Sequence, residues 1–281
     1  MGPVTGADKT EELADAYTPV GGSQAADLMR RFVIDWLGRT DPTVCAEIMA
    51  PDYTLHIGGH VLAGRADYQA TVRAQLFERF PGVLGTVHDL ITSGDRVALR
   101  FTLHGPSVDG GLAAWRGLGL FWIADGVLAR NVTEEDYFGR RRQLASGVCD
   151  PVDPPMAAPW AQESLEPDSS AEDAVRKWLG AGQLGADSDQ VVLDDARPGH
   201  DLPALLSVES TEIHDLFSAG RQVAFNAVQR GTYLGGLDGT DDRSGAPAEL
   251  GLTGLVRVDD SGAISGHVIR DRFGLRRRLQ R

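Results

Sequence analysis

Cysteine is scarce. Cys45 and Cys149 are the only two in 281 residues, too few for a disulfide framework and without the CxxC spacing of a metal site. Long apolar runs are missing: no stretch approaches the roughly 18 residues that a membrane span needs, and Met1 to Val20 is polar and acidic rather than a signal peptide. A cytoplasmic location and no membrane partner are therefore expected. Positive charge is in deficit, with 27 Lys and Arg against 40 Asp and Glu and a formal net charge of −13. A phosphate backbone would be repelled over most of such a surface, which excludes nucleic acid as a partner. There is no Gly-rich phosphate loop, no HExxH, no G-x-S-x-G and no close Cys/His set, so no metal, nucleotide or other cofactor is expected.

What the chain does contain is a repeat. Residues 86–105, TVHDLITSGDRVALRFTLHG, return as residues 212–231, EIHDLFSAGRQVAFNAVQRG. Each copy reads as a strand, a tight turn and a second alternating strand. The likeness extends outward: Trp36-Leu37-Gly38 returns as Trp178-Leu179-Gly180, Gly119-Leu120 as Gly254-Leu255, and Asp136-Tyr137-Phe138-Gly139 as Asp271-Arg272-Phe273-Gly274. A repeat of this length halves the fold problem and implies two domains. The Trp pair is 142 residues apart and the His pair 126, so the second copy is 16 residues shorter before its hairpin.

Leu28, Phe32 and Trp36 lie four apart, predicting a helix over 24–37. Asp41-Pro42 starts a short second helix through Met49. Alternation over 52–57 predicts a strand, Tyr68, Val72, Leu76 and Phe80 a helix over 66–80, and then come the hairpin, a strand over 113–123 and a last strand through Tyr137. Helices followed by a meander of strands indicate α+β, with helices on one face of a curved antiparallel sheet. The division expected is a disordered lead-in over 1–22, domain A over 23–147, a Pro-rich linker over 148–169 and a shortened, structural domain B over 170–281. Gly235 to Glu249 reads as a mobile loop, Ser170 to Asp173 as a capping box, and the Arg140–Arg142 and Arg276–Arg278 runs as solvated faces.

The segments APDYTLHIGG, TVHDLITSGDRVALRFTLHG, GLGLFWIADGVL and EEDYFGRRRQL together resemble the SnoaL-like branch of the NTF2-like superfamily, well over 24–144 and through the repeat over 170–279. The resemblance implies two cones, each a curved sheet wrapped by helices around an apolar cavity, packed as a pseudo-dimer that can pair again as a homodimer. It also implies a cavity acid as the acid/base group, as in polyketide cyclases and ketosteroid isomerase-like enzymes, and places Asp136 at a family Asp at the end of the last strand.

The residues themselves give further candidates. His56 lies mid-strand opposite Leu55 and Ile57; with an ordinary pKa of roughly 6.5 it could polarise a carbonyl or shuttle a proton if its face lines the cavity. On the Tyr53 side instead, the cavity would leave His56 at a surface or sheet interface. Glu134 and Glu135 have no acidic counterparts in domain B, and Glu134 is read as the cavity acid, with burial raising its pKa. The expected catalytic set is thus His56, Glu134 and Asp136, and the expected substrate contacts are Tyr53, Arg100, His104, Trp115 and Tyr137. His88 and His214, shared by both copies, read as structural. Two functions fit: a cofactor-independent isomerase, cyclase or dehydratase acting on a small apolar carbonyl compound in the domain A cavity, or a non-catalytic module binding an apolar molecule or a protein.

Overall fold

The computed structural model describes residues 22–182, 184, 190–196 and 204–281. All but the last residue of the expected lead-in lie outside the described residues. Helix α1 (Gln24–Arg30) starts where the Ser23 hydroxyl accepts from the Ala26 N–H, and it runs on as a π-helical stretch, Arg31–Gly38, whose wide turns carry Phe32, Val33, Trp36 and Leu37 inward. Asp41 caps α2 (Pro42–Ile48), which passes directly into β1 (Met49–Ile57) and β2 (His60–Ala63). Helix α3 (Arg65–Val72) continues π-helically over Arg73–Phe77 and ends before Phe80, which is nonetheless buried. Strands β3 (Leu84–Ser93), β4 (Arg96–Pro106), β5 (Leu112–Ala124) and β6 (Val127–Glu135) follow, then α4 (Tyr137–Ser146).

The last strand stops at Glu135 rather than Tyr137. Asp136 ends it by accepting the Gly139 N–H at 2.8 Å and so capping α4. The first arginine run is therefore helical, and Arg140 is not solvated: it lies over the rings of Tyr137 and Trp115 at 4.6 and 5.0 Å.

Domain B repeats this plan. Helix α5 (Ser169–Gly180) is capped by Asp168 rather than by a box at Ser170. Then come β7 (Val191–Leu193), β8 (Leu206–Ala219), β9 (Gln222–Tyr233), β10 (Pro247–Val258), β11 (Ile264–Arg270) and α6 (Arg272–Leu279). The first sheet runs β2-β1-β6-β5-β4-β3 and the second β7-β11-β10-β9-β8. In each, one parallel pair, β1 with β6 or β7 with β11, joins an antiparallel meander. The segment expected as a mobile loop is anchored, because the Tyr233 hydroxyl takes the Leu237 N–H at 2.9 Å and bonds Thr240 at 2.8 Å in a buried pocket.

Each sheet has one face under its own helices and the other against its twin. Ile91, Ala98, Leu118 and Leu120 of the first meet Phe217, Ala224, Leu255 and Ile269 of the second. The contact is reciprocal, as in an isologous dimer: Phe138 lies beneath Arg272 at 5.2 Å, and Phe273 packs on Tyr137 at 5.9 Å. His88 and His214 are each the extra residue of a β-bulge, since the pairing register breaks between Val87 and Asp89 and between Ile213 and Asp215.

Candidate functional site

Which face of β1 and β6 lines the cone follows from their parallel register, in which Leu55 lies beside Asn131 and Ile57 beside Thr133. Tyr53 and Leu55 belong to the domain A core. By the two-residue period of a strand, Tyr53, Leu55, Asn131, Thr133 and Glu135 point into the cone, and Thr54, His56, Val132 and Glu134 point toward domain B. His56 and Glu134, expected inside the cavity, are on the opposite side of the sheet. The apolar residues of β1 turn inward because the helices cover that face.

The acid inside the cone is Glu135. Its carboxylate accepts the Trp115 Nε1–H at 2.8 Å and is also bonded by the Tyr137 hydroxyl. Burial pushes its pKa up, against the pull of the Arg140 guanidinium and of those two hydrogen bonds. Deeper in, Tyr53 and Tyr68 meet edge to face at 5.1 Å, and Trp36 Nε1 donates to the Tyr68 hydroxyl at 3.2 Å. The buried Tyr53 hydroxyl has no well-aligned partner. Trp36, Tyr53, Tyr68, Phe80 and Trp115, each 3% exposed or less, fill the interior. The signal for Glu135 was its shared parity with Tyr53 across the parallel pair, a pairing no local pattern reveals.

The remaining candidates lie elsewhere. Asp136 caps α4 and pairs with Arg272 across the domain boundary at 2.9 Å; burial pushes its pKa up to about 6, although Arg272 and the Gly139 N–H oppose this. Arg100 faces domain B, gripping Asp194 through Nε at 2.7 Å and Nη2 at 3.0 Å and the linker's Asp153 at 2.8 Å. His104 bonds the Thr86 hydroxyl at 3.0 Å on that same face. Both belong to the face turned to domain B and not to the cone, whereas Tyr53 and Trp115 are inside it and Tyr137 stands at its edge. Among the described residues no group of three or more His, Cys, Asp or Glu is placed to hold a metal ion, and no helix is long and apolar enough to cross a membrane.

His56 and Glu134 do converge, though between the domains. With His214, Asp271 and Arg278 they line a cleft of about 260 Å³. Glu134 Oε2 accepts the Gly58 N–H at 3.3 Å. Burial raises the Glu134 pKa well above the ordinary carboxylate range, and Asp271 adds to the effect. Burial, then the neighbouring Arg130, lowers that of His56.

A curved sheet packed under helices, its strand order repeated in a second sheet, defines an α+β protein of two NTF2-like cones. Residues 29–131 match the family model of the SnoaL-like domain, and domain A is accordingly a SnoaL-like domain. No curated protein matches the chain. Among solved structures, it is similar to a putative SnoaL-like polyketide cyclase from Jannaschia sp. CCS1, at 21% identity over 46% of this chain and 96% of that one, with a TM-score of 0.41. It is also similar to TsrD from Streptomyces laurentii (24% identity, 44% and 96% covered, TM-score 0.40). An LEH-like epoxide hydrolase of M. tuberculosis follows at 16% identity, 45% and 93% covered, TM-score 0.39. At such identities and scores these likenesses assign no chemistry.

Proposed function

We propose that domain A is a cofactor-independent acid/base enzyme of the isomerase, cyclase or dehydratase kind, acting on a small apolar carbonyl compound in its cone. The observation that carries this reading is Glu135, a carboxyl group with a raised pKa held by Trp115 Nε1 at 2.8 Å among aromatic rings. A carboxyl group desolvated among aromatic rings costs stability, and groups whose pKa is shifted in this way cluster at working sites. In this reading Glu135 moves the proton next to the carbonyl, Tyr53 or Tyr68 donates to the developing oxyanion, and the rings of Phe80 and Trp115 exclude water.

The test is exchange of α-protons for deuterium in a panel of cyclic ketones and lactones, followed by NMR. Wild-type protein is expected to accelerate exchange for at least one compound, and Glu135→Gln to lose at least about a hundredfold, the usual worth of a general base. Exchange at the buffer rate throughout, or undiminished in the variant, would overturn the assignment. One observation favours the second reading, a non-catalytic module: the interior rings leave the cone filled. That reading predicts thermal stabilisation by an apolar ligand or a protein partner without any exchange.

A further inference from the structure

The approximate two-fold between the sheets creates two clefts, and they differ. Matching strand registers pairs His56 with Val192, Asn226 with Arg100, Gly251 with Arg116, and Arg278 with Gln143. In one cleft the chain's own linker is seated. The Asp153 carboxylate lies between Arg100 at 2.8 Å and Arg116 at 3.2 Å, the Pro154 carbonyl bonds His88 Nδ1 at 3.0 Å, and the Asp150 N–H donates to Gln143 at 2.9 Å. Among the described residues no comparable segment enters the other cleft, which stays open at about 260 Å³.

We propose that the open cleft binds a small organic carboxylate from solution, the counterpart of the linker carboxylate seated in its twin. Loss of Arg100 and Arg116 in favour of Asn226 and Gly251 gives room for a ligand. The cations come instead from Arg130 and Arg278, which line the same space. Arg130 is exposed and rests on the Trp122 ring at 4.6 Å, and among the described residues no carboxylate is paired with it. Arg278 has a buried Nε–H with no partner.

The acids around the cleft do not repel such a ligand strongly. Glu249 is held by Arg230 at 2.7 Å, and Asp271 is occupied with the Gly274 N–H at 2.6 Å and with Arg278 at 3.5 Å. Burial raises the Glu134 pKa well above the ordinary carboxylate range, which weakens its repulsion of an anion. Ile57, Val61, Val132 and Val228 complete the lining, suited to a short hydrocarbon body. A carboxylate in this space finds guanidinium donors from Arg130 and Arg278 among its walls, and such pairs make charge-assisted hydrogen bonds of the strong kind.

Butyrate and its uncharged amide, butyramide, provide the test, read by NMR on the His56 ring with His56→Gln for assignment. Butyrate is expected to shift the His56 signals saturably and to raise its pKa, because an anion beside Arg130 cancels the depression that the guanidinium causes. Arg130→Gln, shown to be folded by an unchanged melting temperature, is expected to weaken binding at least tenfold, while Glu135→Gln leaves it unaltered. That last control separates this site from the cone, since butyrate entering the cone would shift the Trp115 indole N–H and depend on Glu135. An equal response to butyramide, undiminished binding by Arg130→Gln, or no response at about 10 mM, tenfold above a Kd of 1 mM, would each overturn the proposal.

Discussion

Replacing Arg100 with methionine removes a guanidinium whose side chain is 5% exposed, and it strands an Asp194 carboxylate that is 1% exposed. Methionine keeps the stem's packing, so the loss is one of charge and hydrogen bonds. Asp194 then retains His267 Nδ1 at 3.0 Å, and Asp153 retains Arg116. Breaking a buried pair from one side costs about 3–5 kcal/mol; with His267 offsetting part, about 3 kcal/mol is expected. A chain of this size loses about 2–4 °C in Tm per kcal/mol, giving a drop of about 6–12 °C. Asp194→Leu added to Arg100→Met removes the stranded charge, and the double variant should recover about 1–2 kcal/mol relative to the sum of the singles. The pH dependence has a definite sign. Burial acts to raise the Asp194 pKa, but His267 and Arg100 outweigh it and hold the group below its ordinary value. Its contribution is therefore present above the unfolded pKa near 4 and is lost as pH falls through the lower folded value, so Arg100→Met should flatten that acid limb. Calorimetry against pH, with the enthalpy ratio checked for a single transition, measures all of this. A loss below about 1 kcal/mol at pH 7, or strict additivity in the double variant, would refute the reasoning.

Two further outcomes concern the core of domain B and the seated linker. A methyl group at Gly254 would stand 2.2 Å from Cζ of the fully buried Phe225; Gly254→Ala should cost about 2–3 kcal/mol in urea unfolding, and a change under about 0.5 kcal/mol would mean that the ring moves freely. Burial opposes but does not prevent the lowering of the Asp153 pKa to about 2 by Arg116 and Arg100. Its stabilisation is full above about pH 4 and lost toward pH 2; as a third of the side chain is exposed, screening holds it to about 1 kcal/mol, and Asp153→Asn should remove that limb without altering stability near pH 2.

The repeat carried most of the fold in view. Matching hairpins, the Trp-Leu-Gly ends of the first helices and the Asp-x-Phe-Gly turns all correspond to equivalent elements in the two sheets. Element ends were less legible where a side chain decides them, as at Asp136, whose cap cuts β6 short of Tyr137. The cone acid is hidden for a different reason. Both faces of β4 and β6 are buried, one by helices and one by the partner sheet, so a polar residue on either face looks like a cavity residue. Glu134 and Glu135 are separated only by the parallel pairing with β1, a contact between segments about 76 residues apart. Arg100 was similarly opaque, because its partners Asp153 and Asp194 lie 53 and 94 residues away.

The seated linker has a consequence for how such a protein can diversify. In a homodimer every substitution appears twice and every cleft has an identical copy, so a segment that blocks one blocks both. Joining the two halves covalently frees each position to change alone: Arg100 and Arg116 can secure the connecting chain on one side while Asn226 and Gly251 leave the other side vacant. The join also makes the second half a permanent neighbour at any dilution, so a cleft walled by both halves survives at concentrations where a dimer would have come apart and lost it.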